Sequence, residues 1–160
     1  MKSTLPLYTN EVSQDYFREC DQQRFTEEQL ADFNEEVRKS VRQQQDYLKN
    51  HPPIAIYRLA TEGSQTRDGG VIQSASTGHT IGLDNGQLVR VALKGDSVVY
   101  ADGSTAKIVT GAGESNSNIA LVGSRLCNGD EIINTPQRGV QMLTRKGVPM
   151  AEDFLPVLSH

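Results

Sequence analysis

Ala92-Leu93-Lys94-Gly95-Asp96 runs on to Asp102-Gly103, and Ala120-Leu121-Val122-Gly123-Ser124 runs on to Asn128-Gly129. Each stretch reads as a short apolar strand, a glycine corner and a second turn of Asp-Gly or Asn-Gly type. Such an internal echo predicts a small β structure that reuses one unit. Repeated hairpins around a common axis suit a scaffold or a tip better than an active site.

The surrounding sequence extends the β pattern. Ile54–Leu59, Val71-Ile72, Thr80–Leu83, Leu88–Leu93, Val98–Tyr100, Ala106–Val109, Ile119–Val122 and Ile132-Ile133 read as strands. Asn85-Gly86, Asp102-Gly103 and Asn128-Gly129 separate several of them and supply the positive φ that tight hairpins need. Strands this short, divided by this much glycine, predict a small, pointed, turn-rich β fold rather than a large sandwich. The segment 138–160 carries one further candidate strand, Val140–Leu143, before Gly147, Pro149 and Pro156 interrupt regular structure.

The chain changes character at His51-Pro52-Pro53. No glycine precedes it, and all 14 follow. Ahead of this boundary the sequence predicts one long helix over 26–49 and a shorter one over about 11–22. Thr26 and Gln29 have the spacing of a capping box, with Phe25 and Leu30 placed as a hydrophobic staple. Leu30, Phe33, Val37, Val41 and Leu48 fall close to one face, opposite Glu35, Arg38, Lys39 and Arg42. At 1.5 Å per residue this rod would be roughly 35 Å long. Its apolar stripe predicts packing on the β region or on the first helix, or else docking onto another protein or self-association. The expected organisation is therefore a helical extension over 1–50, a β domain over 54–137 and a tail over 138–160.

Composition narrows the function. Among 160 residues, charged side chains make up 22% and the formal net charge is −4, which argues against a nucleic-acid-binding module. No apolar run reaches the length of a membrane span. Residues 1–10 lack the apolar stretch of a cleaved secretory signal, so cytoplasmic synthesis is expected, with any export by a route that needs no such signal. Cys20 and Cys127 are expected to be two thiols rather than a disulfide framework. With no tryptophan and only 6% aromatic residues, the core must be modest.

Few residues offer chemistry. Gly111-Ala112-Gly113-Glu114-Ser115 has neither the Gly-Lys-Ser/Thr ending of a phosphate loop nor the third glycine of a dinucleotide fingerprint, and reads as a structural turn. Cys127 lies in a hairpin turn with no neighbouring feature that would activate it as a nucleophile. His51, His79 and His160 could join Cys127 around a metal, but their spacing matches no short metal motif. Asp68, Asp84, Asp96, Asp102 and Asp130 all sit near turn glycines, where aspartate caps backbone N–H groups.

The stretch from Thr61-Glu62-Gly63-Ser64 through Asp68-Gly69-Gly70-Val71-Ile72, the segment 85–98, Asp102-Gly103-Ser104, Gly111-Ala112-Gly113 and the segment 119–133 together resemble the PAAR-repeat proteins. That family caps the spike of bacterial type VI secretion systems. The resemblance covers about 57–136 and rests on the order and spacing of the pieces. It implies a mainly β fold, a small cone of short β-hairpins bearing an N-terminal helical extension. It implies a non-enzymatic protein whose base sits on the trimeric VgrG spike and whose point leads when the spike is driven into a target cell. Val91, Leu93, Leu121 and Val122 are the expected base contacts. The helix stripe of Leu30, Phe33, Val37, Val41 and Leu48 is the expected docking surface for an effector, adaptor or chaperone.

Many family members hold zinc near the point with three histidines and a cysteine. Here the histidine before Gly-Gly falls on Asp68, and the Cys-x-x-His turn falls on Tyr100-Ala101-Asp102-Gly103. The zinc site is therefore not carried over, and Cys127 and His79 are the remaining metal candidates. Two other readings stay open: a small secreted effector or hydrolase using Cys127 with a histidine, and a β-rich ligand-binding module oligomerised by its helix.

Overall fold

A computed structural model describes residues 6–21 and 25–156. Position 22, the expected end of the first helix, and His160 lie outside the described residues. The element order is α1 (Gln14–Cys20), α2 (Glu27–Ala31), α3 (Glu35–Asn50), β1 (Pro53–Arg58), β2 (Thr80–Gly82), β3 (Leu88–Arg90), β4 (Ser97–Val99), β5 (Thr105–Lys107), a 3₁₀ turn (Glu114–Asn116) and β6 (Gln141–Arg145). Strands pair as β1 with β6, β2 with β3 and β4 with β5. The fold thus mixes helices with short antiparallel strand pairs.

The chain forms two compact units. One, the β unit, comprises Met1–Asn10, Tyr57–Met142 and Met150–His160; the other, the helical unit, comprises Glu11–Ile56 and Leu143–Pro149. The three helices fall in the helical unit and residues 57–142 in the β unit. Tyr8 exchanges both backbone hydrogen bonds with Thr135, and the Leu155 N–H donates to the Gly111 carbonyl, so the segments around Tyr8 and Leu155 join the β unit. The candidate strand at 140–143 overlaps β6, which pairs with β1.

The helical unit shows why the expected rod is broken. The Thr26–Gln29 capping box forms, with Gln29 N–H to Thr26 Oγ1 at 3.1 Å and Thr26 N–H to Gln29 Oε1 at 2.9 Å. Its helix, α2, stops at Ala31. Asn34 then caps a new helix by accepting the Val37 N–H at 2.9 Å. Asp32 and Asn34 bond local backbone groups more readily than they continue a helix, so the segment between them ends one helix and starts the next. The remaining helix, α3, has 16 residues and spans about 24 Å. Leu30 is buried, and Phe33 meets Phe25 edge to face at 5.1 Å between ring centres.

The β unit is built on an internal threefold repetition, and it contains a third copy of the echo. Ala60-Thr61-Glu62-Gly63-Ser64 matches the stretches at 92–96 and 120–124 as Ala-x-x-Gly followed by Ser or Asp. The three alanines close a ring. The Ala60 N–H donates to the Ala120 carbonyl, Ala92 to Ala60 and Ala120 to Ala92, each at 2.9 Å. All three alanines are 0% exposed.

The same order governs the turns. Gly63, Gly95 and Gly123 take φ of +92°, +98° and +108°, a region that favours glycine. Their N–H groups donate to Ile72, Ile108 and Ile132, each at 2.8 Å. Ser64, Asp96 and Ser124 accept the N–H three residues earlier, at 3.0, 2.8 and 2.9 Å. The ring alanines, the isoleucines at 72, 108 and 132, Val98 and Leu126 form a shared core, with buried Thr66 as the counterpart of Val98 and Leu126 in the first repeat. The isolated bridges Leu59 with Leu121, Thr61 with Val91 and Leu93 with Ile119 obey the same rotation.

Candidate functional site

Two regions of the β unit concentrate unusual side chains: the hairpin tips and the apolar face on the other side of the alanine ring.

The tips are Arg67–Gly69, Ala101–Gly103 and Cys127–Gly129, one from each repeat. Asp130 ties the three repeats together. Its Oδ1 accepts the Asp68 N–H at 3.1 Å and the Glu131 N–H at 2.8 Å, and its Oδ2 accepts the Tyr100 hydroxyl at 2.6 Å. Asn128 donates to the Tyr100 oxygen at 2.9 Å and accepts the Asp130 N–H at 3.0 Å. The Thr66 hydroxyl also bonds the carboxylate. Tyr100 lies over Gly70, where a Cβ would come within 3.0 Å of the ring, so glycine is what lets the phenol reach Asp130.

Asp130 is 0% exposed. Burial pushes its pKa up, but hydrogen bonds from Thr66, Tyr100 and the Glu131 and Asp68 N–H groups outweigh burial and hold it below the ordinary carboxylate value. The Tyr100 phenol is pushed up, first by desolvation and then by the Asp130 carboxylate, against an opposing hydrogen bond from Asn128. Positions 68 and 100, where the sequence lacks the ligands that the resemblance leads one to expect, thus meet around an aspartate. The sequence marked Asp130 only as a turn aspartate.

Cys127 is exposed, and its sulfur accepts the Lys107 N–H at 3.4 Å. His79 is exposed just ahead of β2, and its carbonyl accepts the Val91 N–H. His51 lies in the helical unit, where its Nδ1 is 2.9 Å from the Lys146 carbonyl. Among the described residues, no group of three or more His, Cys, Asp or Glu side chains is arranged to hold a metal.

At the opposite face, Leu59, Val91, Ala112 and Leu121 form a buried apolar cluster, with Tyr57, Ile81, Ile119, Met142, Phe154 and Leu155 packed against it. Of the expected base contacts, Val91, Leu121 and Val122 are 5%, 0% and 4% exposed, and Leu93 is half-buried. Val91 and Leu121 lie under the chain's own partly buried apolar residues, while Leu93 and Val122 lie outside that cluster. The half-exposed covering residues make the face. Tyr57 and Phe154 meet edge to face at 5.1 Å, and Leu155 is held through Gly111. Nothing in the sequence marks Phe154 and Leu155 beyond their being apolar.

In the helical unit, the stripe residues separate. Leu30 is buried and Val37 is 42% exposed, while Val41 and Leu48 line a cavity of about 960 Å³ with Phe17, Phe25, Pro52 and Pro53. At its wall Arg145 makes a two-pronged ion pair with Asp21, at 2.6 and 2.8 Å. Among the described residues, no helix is long and apolar enough to cross a membrane.

Comparison of the chain with protein-family models, with curated proteins and with solved structures found no match.

Proposed function

We propose that this chain is a non-enzymatic tip protein that caps the trimeric VgrG spike of a type VI secretion system and leaves the cell with it. The closed ring of Ala60, Ala92 and Ala120 carries this reading. A single chain that repeats its backbone three times about one axis can meet a threefold partner with one geometry at all three positions. The half-exposed apolar residues around Leu59, Val91 and Leu121 provide the face, since apolar area removed from water drives such docking. The hairpin tips on the other side, tied by Asp130, form the leading point. The cavity between α1 and α3 is the docking place for an effector or adaptor.

The test is to mix the purified chain with the spike protein encoded beside its gene and measure the mass of the complex by light scattering. One chain per spike trimer is expected, and Ile81→Asp should weaken the complex. Absence of any complex with that spike would reject the proposal. Retained toxicity or hydrolysis that disappears in Cys127→Ser would favour the effector reading instead.

A further inference from the structure

The threefold repetition leaves three equivalent clefts between neighbouring repeats, and the chain fills them in three different ways. Between the third and first repeats lies the N-terminal arm. Tyr8 pairs with Thr135 through N–H to carbonyl at 2.8 Å and carbonyl to N–H at 3.0 Å. Asn10 completes the contact, with Oδ1 accepting the Arg58 N–H at 2.8 Å and Nδ2 donating to the Val122 carbonyl at 2.8 Å. The Arg58 guanidinium sits 5.6 Å from the centre of the Tyr8 ring.

Rotation by one repeat carries Thr135 onto Ala75, Arg58 onto Arg90 and Val122 onto Glu62. No arm lies there. The Glu62 carboxylate satisfies the same two donors: its Oε2 accepts the Ala75 N–H at 3.1 Å and its Oε1 accepts the Arg90 N–H at 2.9 Å. Arg90 is exposed, as are Gln73 and Ser74 on the approach, and the backbone of these last two makes no hydrogen bond among the described residues. Glu62 therefore acts as a plug in a cleft whose backbone matches one that binds an extended strand.

We propose that the cleft at Ala75, Arg90 and Glu62 accepts an extended segment of a partner protein, bearing an aromatic residue followed two positions later by asparagine. The chain's own Tyr8-Thr9-Asn10 defines that chemistry. The segment's backbone pairs with Ala75, its asparagine amide takes the Arg90 N–H and the Glu62 carbonyl, its aromatic ring stacks on the Arg90 guanidinium, and the Glu62 side chain swings out to water.

The experiment titrates the whole chain with a blocked peptide of the sequence 6–11, read by amide chemical shifts. Saturable shifts at the Ala75 and Arg90 amides are expected. Glu62→Ala should tighten binding roughly tenfold, because both donors are then left for the peptide. Arg90→Ala should weaken it roughly threefold or more through loss of the ring contact. Should Glu62→Ala fail to fold, Glu62→Gln, which keeps one acceptor, should give a smaller gain in the same direction. Absence of shifts at Ala75 and Arg90 in both the parent and the Glu62 variant would overturn the proposal. So would shifts confined to Thr135 and Arg58, which mean only exchange of the resident arm. A dimer of the chain alone that is lost in Asn10→Ala would overturn it in favour of a second copy's arm.

Discussion

Replacing Asp130 by alanine should loosen the hairpin tips more than any other single truncation there. The carboxylate accepts the Tyr100 hydroxyl at 2.6 Å, the Glu131 N–H at 2.8 Å and the Asp68 N–H at 3.1 Å, from all three repeats. A hydrogen bond to a charged group contributes about 1.5–3 kcal/mol, and a stranded buried donor costs about 1–3 kcal/mol. Asn128 still donates to the Tyr100 oxygen, and the two N–H groups lie in tip loops that water can reach, so the losses are not fully additive. The expected destabilisation is about 3–5 kcal/mol, at the upper end for a point substitution. With each kcal/mol worth about 2–4 °C in a chain of this size, the melting temperature should fall by roughly ten degrees. Urea unfolding with an unchanged slope is the assay. Tyr100→Phe should cost about 1–2 kcal/mol, and the double variant should cost less than the sum. A loss below about 1 kcal/mol for Asp130→Ala, with additive behaviour toward Tyr100→Phe, would refute the idea that this carboxylate joins the repeats.

The pH dependence follows from the same contacts. Asp130 has its folded pKa held below the unfolded value, which is about 3.9. Its contribution is therefore complete above about pH 4 and is lost as pH falls through the lower, folded value. The gap in stability between the parent and Asp130→Asn should be constant from neutral pH to about pH 4 and close below it. Tyr100 has the opposite sense. Its raised pKa makes its contribution complete below about pH 10 and lost as pH climbs through the folded value, and Asp130→Asn should bring its ultraviolet titration down.

Gly113→Ala should destabilise the β unit by about 1–3 kcal/mol, because φ is +95° and a Cβ would clash with Asp153 Oδ1; Asp153→Ala should recover only the steric part in thermal melts. Ala120→Val places extra volume in the closed alanine ring, where exposure is 0%, and should cost about 1–3 kcal/mol by urea unfolding. Asn34→Ala removes the cap of α3 and should cost about 1 kcal/mol, visible as loss of helical circular dichroism at lower urea.

Local signals were legible in the sequence wherever one residue type was required by its own backbone. Gly86, Gly103 and Gly129 take the positive φ that the Asn-Gly and Asp-Gly pairs foretold. The capping box formed as its spacing indicated. The long helix failed at Asp32-Phe33-Asn34 because apolar spacing continued through a segment whose polar residues prefer to cap. The Ala-x-x-Gly echo was visible at 92 and 120, but the copy at 60 was hidden by Thr61 and Glu62 standing where the others have apolar or basic residues. What could not be read was pairing across long separations. Nothing local in Tyr8 or Asn10 points to Thr135 and Arg58, and nothing local in Asp130 points to Tyr100. Those contacts are set by the threefold closure, which places together residues whose sequence neighbourhoods are unrelated.

That closure also separates what is symmetric in the β unit from what is not. Near the axis, three alanines, three turn glycines and three isoleucines hold matching hydrogen bonds, and a shift of one repeat relative to the others would break bonds on both of its sides. Away from the axis the clefts hold an N-terminal arm, a glutamate plug, and a 3₁₀ turn beside Phe154 and Leu155. A trimeric partner presents three identical surfaces, so a single chain can satisfy all three alike only through residues close to the axis. The periphery is free to differ because each peripheral feature meets such a partner once. Under the proposed function, docking falls to the apolar residues packed on Leu59, Val91 and Leu121, while the individuality of the β unit resides in how its three clefts are filled.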